Sequence, residues 1–473
     1  KGDTANVLNE WLDARLIETI AFDRPTEVEL ERPPLWRFWR DLPRGGRMAI
    51  YLSAWYSRPF LMRVHGDLRE AEYQQKLDEI VAMEQTFVDD GAVILKFWMH
   101  LGKQQQKASF ERLEADPLWS WRVTERDWRH WEMYDQFEKA AEFLIVRTSS
   151  GAAPWKIVEG ADKNFRELEV AEHVLAGMRR AVQEAAARKA RPKAKAPAPA
   201  GEAGAGERVT ILSRVDMDLK VAKDDYNERL PQLQGRLNRL YRHAKKQGNS
   251  TVIALEGWDA GGKGGAIRRL LPAMDARDYD IHQITAPNDE ERARHYLWRF
   301  WRRLPRAGEV AIFDRTWYGR VLVERIEGFA SVDEWRRAYA EINDFERRLT
   351  DHGIILIKFW LHITPEEQEK RFKAREKIPF KQYKLTEEDW RNRERWAAYE
   401  LAVNEMIERT SAIHSRWTIV PANDKRHSRL TVLETVCDAI ERKVGDPDDV
   451  GREAEGAEAA AEIEAGAPQP PRA

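Results

Sequence analysis

Cysteine is nearly absent from this 473-residue chain. Cys437 stands alone, so no intramolecular disulfide can form, and the composition points to a reducing, cytoplasmic compartment. Long hydrophobic runs are missing too: the longest, residues 354–363, is interrupted by Lys358 and is too short to span a bilayer. Nor is there an excess of charge of one sign. Lys and Arg number 78 against 80 Asp and Glu, a net charge of −2, which argues against a general nucleic-acid binder. The first residues, Lys1-Gly2-Asp3, have neither the character of a secretion leader nor an initiator Met, and the chain is expected to begin inside a longer protein. What remains is a globular composition, 42% hydrophobic and 33% charged, long enough for two domains with a core each.

What is present, above all, is a repeat. Residues 35–40 read Leu-Trp-Arg-Phe-Trp-Arg, and residues 297–302 read the same again. An offset of 262 keeps the two copies aligned without a gap over about residues 1–180, matching Lys96-Phe97-Trp98 to Lys358-Phe359-Trp360 and Arg147-Thr148-Ser149 to Arg409-Thr410-Ser411. A repeat of this length is a duplicated domain rather than a solenoid unit. Residues kept in both copies are expected to serve the fold, and residues kept in one are candidates for chemistry.

Composition divides the chain into a first domain over 1–182, a linker over 183–208, a second domain over 209–445 and an acidic tail over 446–473. The linker is rich in Ala, Pro, Gly, Lys and Arg and has too little apolar surface to fold. Its basic cluster reads as solvated linker more readily than as a polyanion contact. Within the second copy, short apolar runs alternate with amphipathic stretches, the pattern of a parallel sheet between helices. Strands are expected at 251–256, 279–285, 309–313, 353–363 and 417–420. Helices are expected at 223–247, 266–274, 290–303, 332–349, 365–376 and 386–410.

The first strand runs into Gly257-Trp258-Asp259-Ala260-Gly261-Gly262-Lys263-Gly264-Gly265 and then a helix. This is G-x4-G-K in a strand–loop–helix setting, where glycines let backbone N–H groups converge on phosphate and Lys263 neutralises it. Gly257, Gly261, Gly262, Gly264 and Gly265 are therefore candidate phosphate-binding positions. Gly264 occupies the place of the usual Mg²⁺-holding Ser or Thr, so a metal needs another ligand. Asp259 is a candidate for that role or for a base, and the plainer alternative is a helix N-cap.

After the third strand comes Phe313-Asp314-Arg315-Thr316-Trp317-Tyr318-Gly319-Arg320. An Asp at a strand end beside a phosphate loop is the Walker B arrangement and can carry Mg²⁺, while Arg315 and Arg320 can meet phosphates with planar donors. An Asp–Arg pair can also be structural. The first copy decides between these, because Asp314 is there Leu52 and Arg315 is Ser53, whereas Trp55, Tyr56 and Arg58 persist. A third element, Arg371, Lys373, Arg375, Lys377, Lys381 and Lys384 followed by Arg391 and Arg393, stands where a lid would close over phosphates. Its alternative is a solvated helix face, but the charges thin out in the first copy, where Trp131 replaces Arg393.

Together with Ala286-Pro287-Asn288-Asp289-Glu290-Glu291 and the lid's closing Trp390-Arg391-Asn392-Arg393, these motifs resemble the second family of polyphosphate kinases, strongly over 216–443 and more weakly over the first copy. The resemblance implies two tandem P-loop kinase-like α/β domains, each a five-stranded parallel sheet between helices with a helical lid. It further implies Mg²⁺-dependent phosphoryl transfer, with Mn²⁺ as an alternative, between inorganic polyphosphate and AMP or ADP. Asp259, Lys263, Asp314, Arg315, Arg320 and Arg375 match the family's functional positions, with Asp259 and Asp314 as the metal carboxylates. Asn288, Trp317 and Tyr318 are expected at the nucleotide. Fused pairs in this family imply AMP phosphorylation by an active C-terminal copy beside a degenerate N-terminal one. The two fused copies are expected to form an intramolecular pseudo-dimer that could pair further, and the charge balance and short apolar runs lead to no expected nucleic-acid or membrane partner. Phosphorylation of ADP, an ATP-dependent nucleoside monophosphate kinase and a non-enzymatic polyphosphate sensor are the alternatives.

Overall fold

A computed structural model describes residues 2–190, 209–377 and 387–446. Two compact units account for the chain. One comprises Lys1–Thr26, Leu35–Lys193 and Asn288–Trp298; the other comprises Glu27–Pro34, Ala194–Pro287 and Arg299–Ala473. Among the described residues no helix is long and apolar enough to cross a membrane.

The first unit holds β1 (Ile17–Ala21) parallel to β2 (Met48–Leu52), and β3 (Lys96–His100) parallel to β4 (Trp155–Glu159). These are two separate pairs rather than the five-stranded sheet expected of each copy. In the second unit one further strand joins the corresponding pairs, and no residue of the first unit aligns with it at the offset of 262. The unit's last helix, Lys163–Ala190, also runs through the first eight residues of the expected linker. The run Glu184-Ala185-Ala186-Ala187-Arg188-Lys189-Ala190 consists of strong helix formers, which sustain the helix without a core to pack on. The remainder of the expected linker and nearly all of the expected tail lie outside the described residues.

The second unit carries β5 (Thr251–Gly257), β6 (Tyr279–Gln283), β7 (Val310–Asp314), β8 (Ile355–His362) and β9 (Trp417–Pro421). They form one parallel sheet in the order β6-β7-β5-β8-β9. Strands β5, β7 and β8 are buried almost throughout, as parallel strands covered on both faces must be. Helices Lys223–Lys246 and Lys425–Val444 pack on each other, while Val332–Asp351 packs on β8 and on Trp396–Thr410. The expected stretch 290–303 forms two short helices, Asp289–Arg292 and Trp298–Trp301, instead of one.

The core of each unit encloses an ion pair. In the second, Lys358 on β8 bonds Glu346 at 2.7 Å, with both side chains fully buried. Its ammonium also donates to Tyr318 Oη at 2.9 Å and the Thr410 carbonyl at 2.8 Å. Glu346 accepts in addition from Trp317 Nε1 at 3.0 Å, Tyr318 Oη at 2.6 Å and Ser415 Oγ at 2.9 Å. The first unit repeats the arrangement with Lys96, Glu84, Tyr56, Trp55 and Thr148. Trp317 and Tyr318, expected at the nucleotide, are thus core residues, at 1% and 0% exposure. Burial lowers the affinity of Lys358 for its proton, and the Glu346 charge opposes that loss.

Lys358→Met leaves Glu346 buried without its counter-ion and is expected to cost about 3–5 kcal/mol, read as a lower urea midpoint. The double change Lys358→Met with Glu346→Leu should recover much of that loss. Equal destabilisation by the single and double changes would contradict this account of the pair.

Candidate active site

The phosphate loop is shaped by what surrounds it. At the end of β5, Gly257 has φ +149°, and a Cβ there would lie 2.6 Å from the Leu361 carbonyl oxygen, so only glycine fits. A Cβ on Gly261 would meet the Trp258 carbonyl at 2.8 Å. Gly262, at φ +115°, is the N-cap of helix Lys263–Leu270, so Asp259 is not the cap. Gly264 and Gly265 lie in the first turn. Among the described residues the backbone N–H groups of Gly262, Lys263 and Gly264 have no acceptor. Three converging donors at a helix N-terminus form an anion cradle. The Lys263 ammonium arches back over the loop, donating to the Gly257 carbonyl at 2.7 Å and the Trp258 carbonyl at 3.3 Å.

Asp259 is a crossing point. One carboxylate oxygen accepts from Arg315 Nη2 and the other from Asn392 Nδ2, each at 3.0 Å, while its carbonyl accepts from Gln368 Nε2 at 3.1 Å. Asn392 belongs to the lid helix Glu387–Glu394 and is steadied by Tyr399, whose hydroxyl donates to it at 3.2 Å. Asp314 ends β7, and its carboxylate has no hydrogen-bond or ion-pair partner among the described residues. Arg315 follows in the left-handed region, at φ +65°, with its N–H on the Leu255 carbonyl at 3.1 Å. Ser53, its counterpart in the first unit, has φ +60°, so the turn belongs to the fold and only the side chain it presents has changed.

Glu256, unassigned in the sequence reading, holds that turn in place. Its carboxylate accepts from the Thr316 N–H at 2.7 Å and hydroxyl at 2.8 Å. Burial raises its pKa, with Lys263 the largest of the opposing influences. Arg320 pairs with Glu324 at 3.1 Å. Asn288, expected at the nucleotide, lies in the first unit, where its side-chain oxygen caps Asp289–Arg292 by accepting from the Glu291 N–H at 2.9 Å.

The lid cations divide by what they touch. Arg371 donates to Glu367 at 2.7 Å, to the Ala260 and Gly261 carbonyls at 2.8 and 3.1 Å, and to the Ala422 and Asn423 carbonyls at 2.6 and 3.0 Å. Its donors are fully engaged, so it braces the phosphate loop from below and does not meet phosphate as expected. Arg393 likewise bonds the Pro365 carbonyl at 2.6 Å and Glu369 at 2.9 Å, joining two lid helices. In the first unit Trp131 Nε1 donates to the carbonyl of Lys103, the counterpart of Pro365, at 2.9 Å, so the exchange of Arg393 for Trp kept a brace. Arg391 pairs with Glu327 at 3.6 Å. Arg375 is half-buried on helix Pro365–Glu376, and Lys381 and Lys384 lie outside the described residues.

Among the described residues no group of three or more His, Cys, Asp or Glu side chains could hold a metal ion. Mg²⁺ does not require one, because it commonly keeps waters and binds through one or two carboxylates plus substrate phosphates. The hard oxygens of Asp259 and the partnerless Asp314 suit such a site.

Trp258 locks the loop to β8 and the lid side. Its ring stacks on Trp396 at 3.6 Å and 10°, and its Nε1 donates to His362 Nδ1 at 3.0 Å. That nitrogen must be unprotonated, and burial pushes the His362 pKa down from 6.5 to about 4. Between those values the unfolded chain binds more protons, so stability falls as pH drops through this window, by about 3 kcal/mol in full. His362→Asn keeps an acceptor and does not titrate. Melting temperatures from pH 7 to 4 should fall less steeply for it than for the wild type, and parallel curves would refute the assignment.

A family model described as Polyphosphate kinase 2 (PPK2) matches residues 1–186 and 220–446. The chain is 47% identical over 442 residues to the polyphosphate:AMP phosphotransferase of Pseudomonas syringae pv. tomato, covering 93% of this chain and 88% of that protein. It is 49% identical over 441 residues to the protein of the same name from Pseudomonas aeruginosa, with the same coverage of both chains. A crystal structure of a polyphosphate kinase 2 from Pseudomonas aeruginosa superposes with a TM-score of 0.81 at 46% identity, covering 94% of this chain and 87% of that one. The chain belongs to the polyphosphate kinase 2 family.

Proposed function

We propose that the second copy, over residues 209–445, transfers the terminal phosphoryl group of inorganic polyphosphate to AMP, giving ADP, and that the first copy is a structural companion. The observation that carries this reading is the pairing of an open N–H cradle and Lys263 with the partnerless carboxylate of Asp314. The first copy has Leu52 in place of Asp314 and Ser53 in place of Arg315. Relatives that span both copies carry the name polyphosphate:AMP phosphotransferase. A cytoplasmic location is part of this reading and rests on the single cysteine of the chain.

In this reading the terminal phosphate of the chain enters the cradle formed by the N–H groups of Gly262, Lys263 and Gly264. Lys263 exchanges its loop carbonyls for a phosphate oxygen, and Arg315 and Arg320 turn toward the charge that develops during transfer. An oxygen of the AMP phosphate attacks in line. A new P–O bond forms to AMP as the bridging P–O bond to the rest of the chain breaks, and the shortened polyphosphate leaves with the bonding pair. No general base is required, because that phosphate is ionised at neutral pH. Mg²⁺, or Mn²⁺ in its place, would be held by Asp259 and Asp314 and would offset the charge of the phosphates that meet there. Arg375 and the lid keep water from competing as acceptor.

Incubation with AMP, Mg²⁺ and long-chain polyphosphate should yield ADP, and ATP as donor should yield far less. Lys263→Ala and Asp314→Asn are expected to lower kcat at least about 10²-fold while the melting temperature stays close to wild type. ADP formed only from ATP, or near-wild-type turnover by Asp314→Asn, would overturn the proposal.

A further inference from the structure

We infer that Arg429 binds the polyphosphate donor beyond the transferred group, an inference that rests on the donor assignment above. Arg429 lies on helix Lys425–Val444, and its guanidinium lies against the first turn of the phosphate-loop helix. A Cβ on Gly265 would sit in van der Waals contact with it, 3.6 Å from Nη2 and 3.7 Å from Nε, which places the guanidinium directly against that turn. Among the described residues Arg429 has no hydrogen-bond or ion-pair partner.

Its surroundings make this position costly without an anion. Burial is the main reason that Arg371 holds its proton less firmly, and the charges of Arg375 and Arg429 press on it in the same direction. Cations gathered beside the positive end of a helix, one of them lacking any carboxylate, repel one another until a polyanion enters. The cradle itself is filled by one phosphate. AMP carries no second phosphate to continue past Gly264, whereas polyphosphate carries a charge on every unit, and Gly265 is the next residue along. The duplicated copy supports the assignment: the residue 262 positions earlier is Glu167, where the sign is reversed, and Glu167 lies 3.9 Å from Arg166 and 4.0 Å from Lys163 in ion pairs of its own.

The test uses the full chain and three variants, Arg429→Ala, Arg429→Lys and Arg429→Glu, with melting temperatures to confirm folding. Steady-state kinetics should show KM for long-chain polyphosphate raised about tenfold in Arg429→Ala, more in Arg429→Glu and less in Arg429→Lys, with KM for AMP changed less than about twofold. Calorimetric titration with tripolyphosphate in the absence of AMP should show the same order of affinities. An unchanged polyphosphate affinity, or a loss confined to AMP, would overturn the inference. Because the titration needs no turnover, a wild type that binds tripolyphosphate but makes no ADP would refute the proposed reaction and still decide the role of Arg429.

Discussion

A buried lysine ammonium paired with a buried glutamate holds each copy of this domain together. In the second unit Lys358 ties β8 to helix Val332–Asp351 through Glu346, to the end of helix Trp396–Thr410 through the Thr410 carbonyl, and to the turn after β7 through Tyr318. Two buried charges tolerate no loose partner, so every element that contributes a hydrogen bond is fixed with them. Trp317 and Tyr318 are anchored in this way, and the residues just before them, Asp314 and Arg315, are presented at the sheet's carboxyl edge. Glu256 secures the same turn from β5 by accepting two bonds from Thr316. The position of Asp314 and Arg315 therefore depends on a network buried in the core.

Much of this was legible in the sequence. Apolar runs alternating with amphipathic stretches placed β5 through β9 to within a few residues, and G-x4-G-K marked the cradle, because residue spacing and strand burial are local properties. The roles of individual cations were less legible. Arg371 and Arg393 were expected on phosphate because sequence shows charge but not the carbonyls a guanidinium meets; one braces the loop and the other joins two lid helices. Comparison of the copies assigned Trp317 and Tyr318 to architecture where the family resemblance placed them at the nucleotide. The same comparison misled for Arg393, since Trp131 makes the equivalent bond by other means. Glu256 and His362 carried no expected role, and Asn392 stood only as part of the lid motif, because their significance lies in partners 60, 104 and 133 residues away.

Asp259 summarises how the loop is held ready. It lies inside a phosphate cradle, where its charge would repel substrate, yet both oxygens are engaged by side chains from different elements, Arg315 after β7 and Asn392 on the lid. In the proposed reaction, phosphates entering the cradle would compete for Arg315 and would free a carboxylate oxygen of Asp259 for a cation. The same side chain already joins the turn after β7 to the lid helix.

The most direct measurement of the central claim follows the phosphorus. Polyphosphate labelled with ³²P in its terminal groups is mixed with unlabelled AMP, Mg²⁺ and the protein, and the nucleotides are separated. Direct transfer predicts label in the β-phosphate of ADP, appearing as the chains shorten. Label found only in inorganic phosphate, with no labelled ADP, would contradict the account.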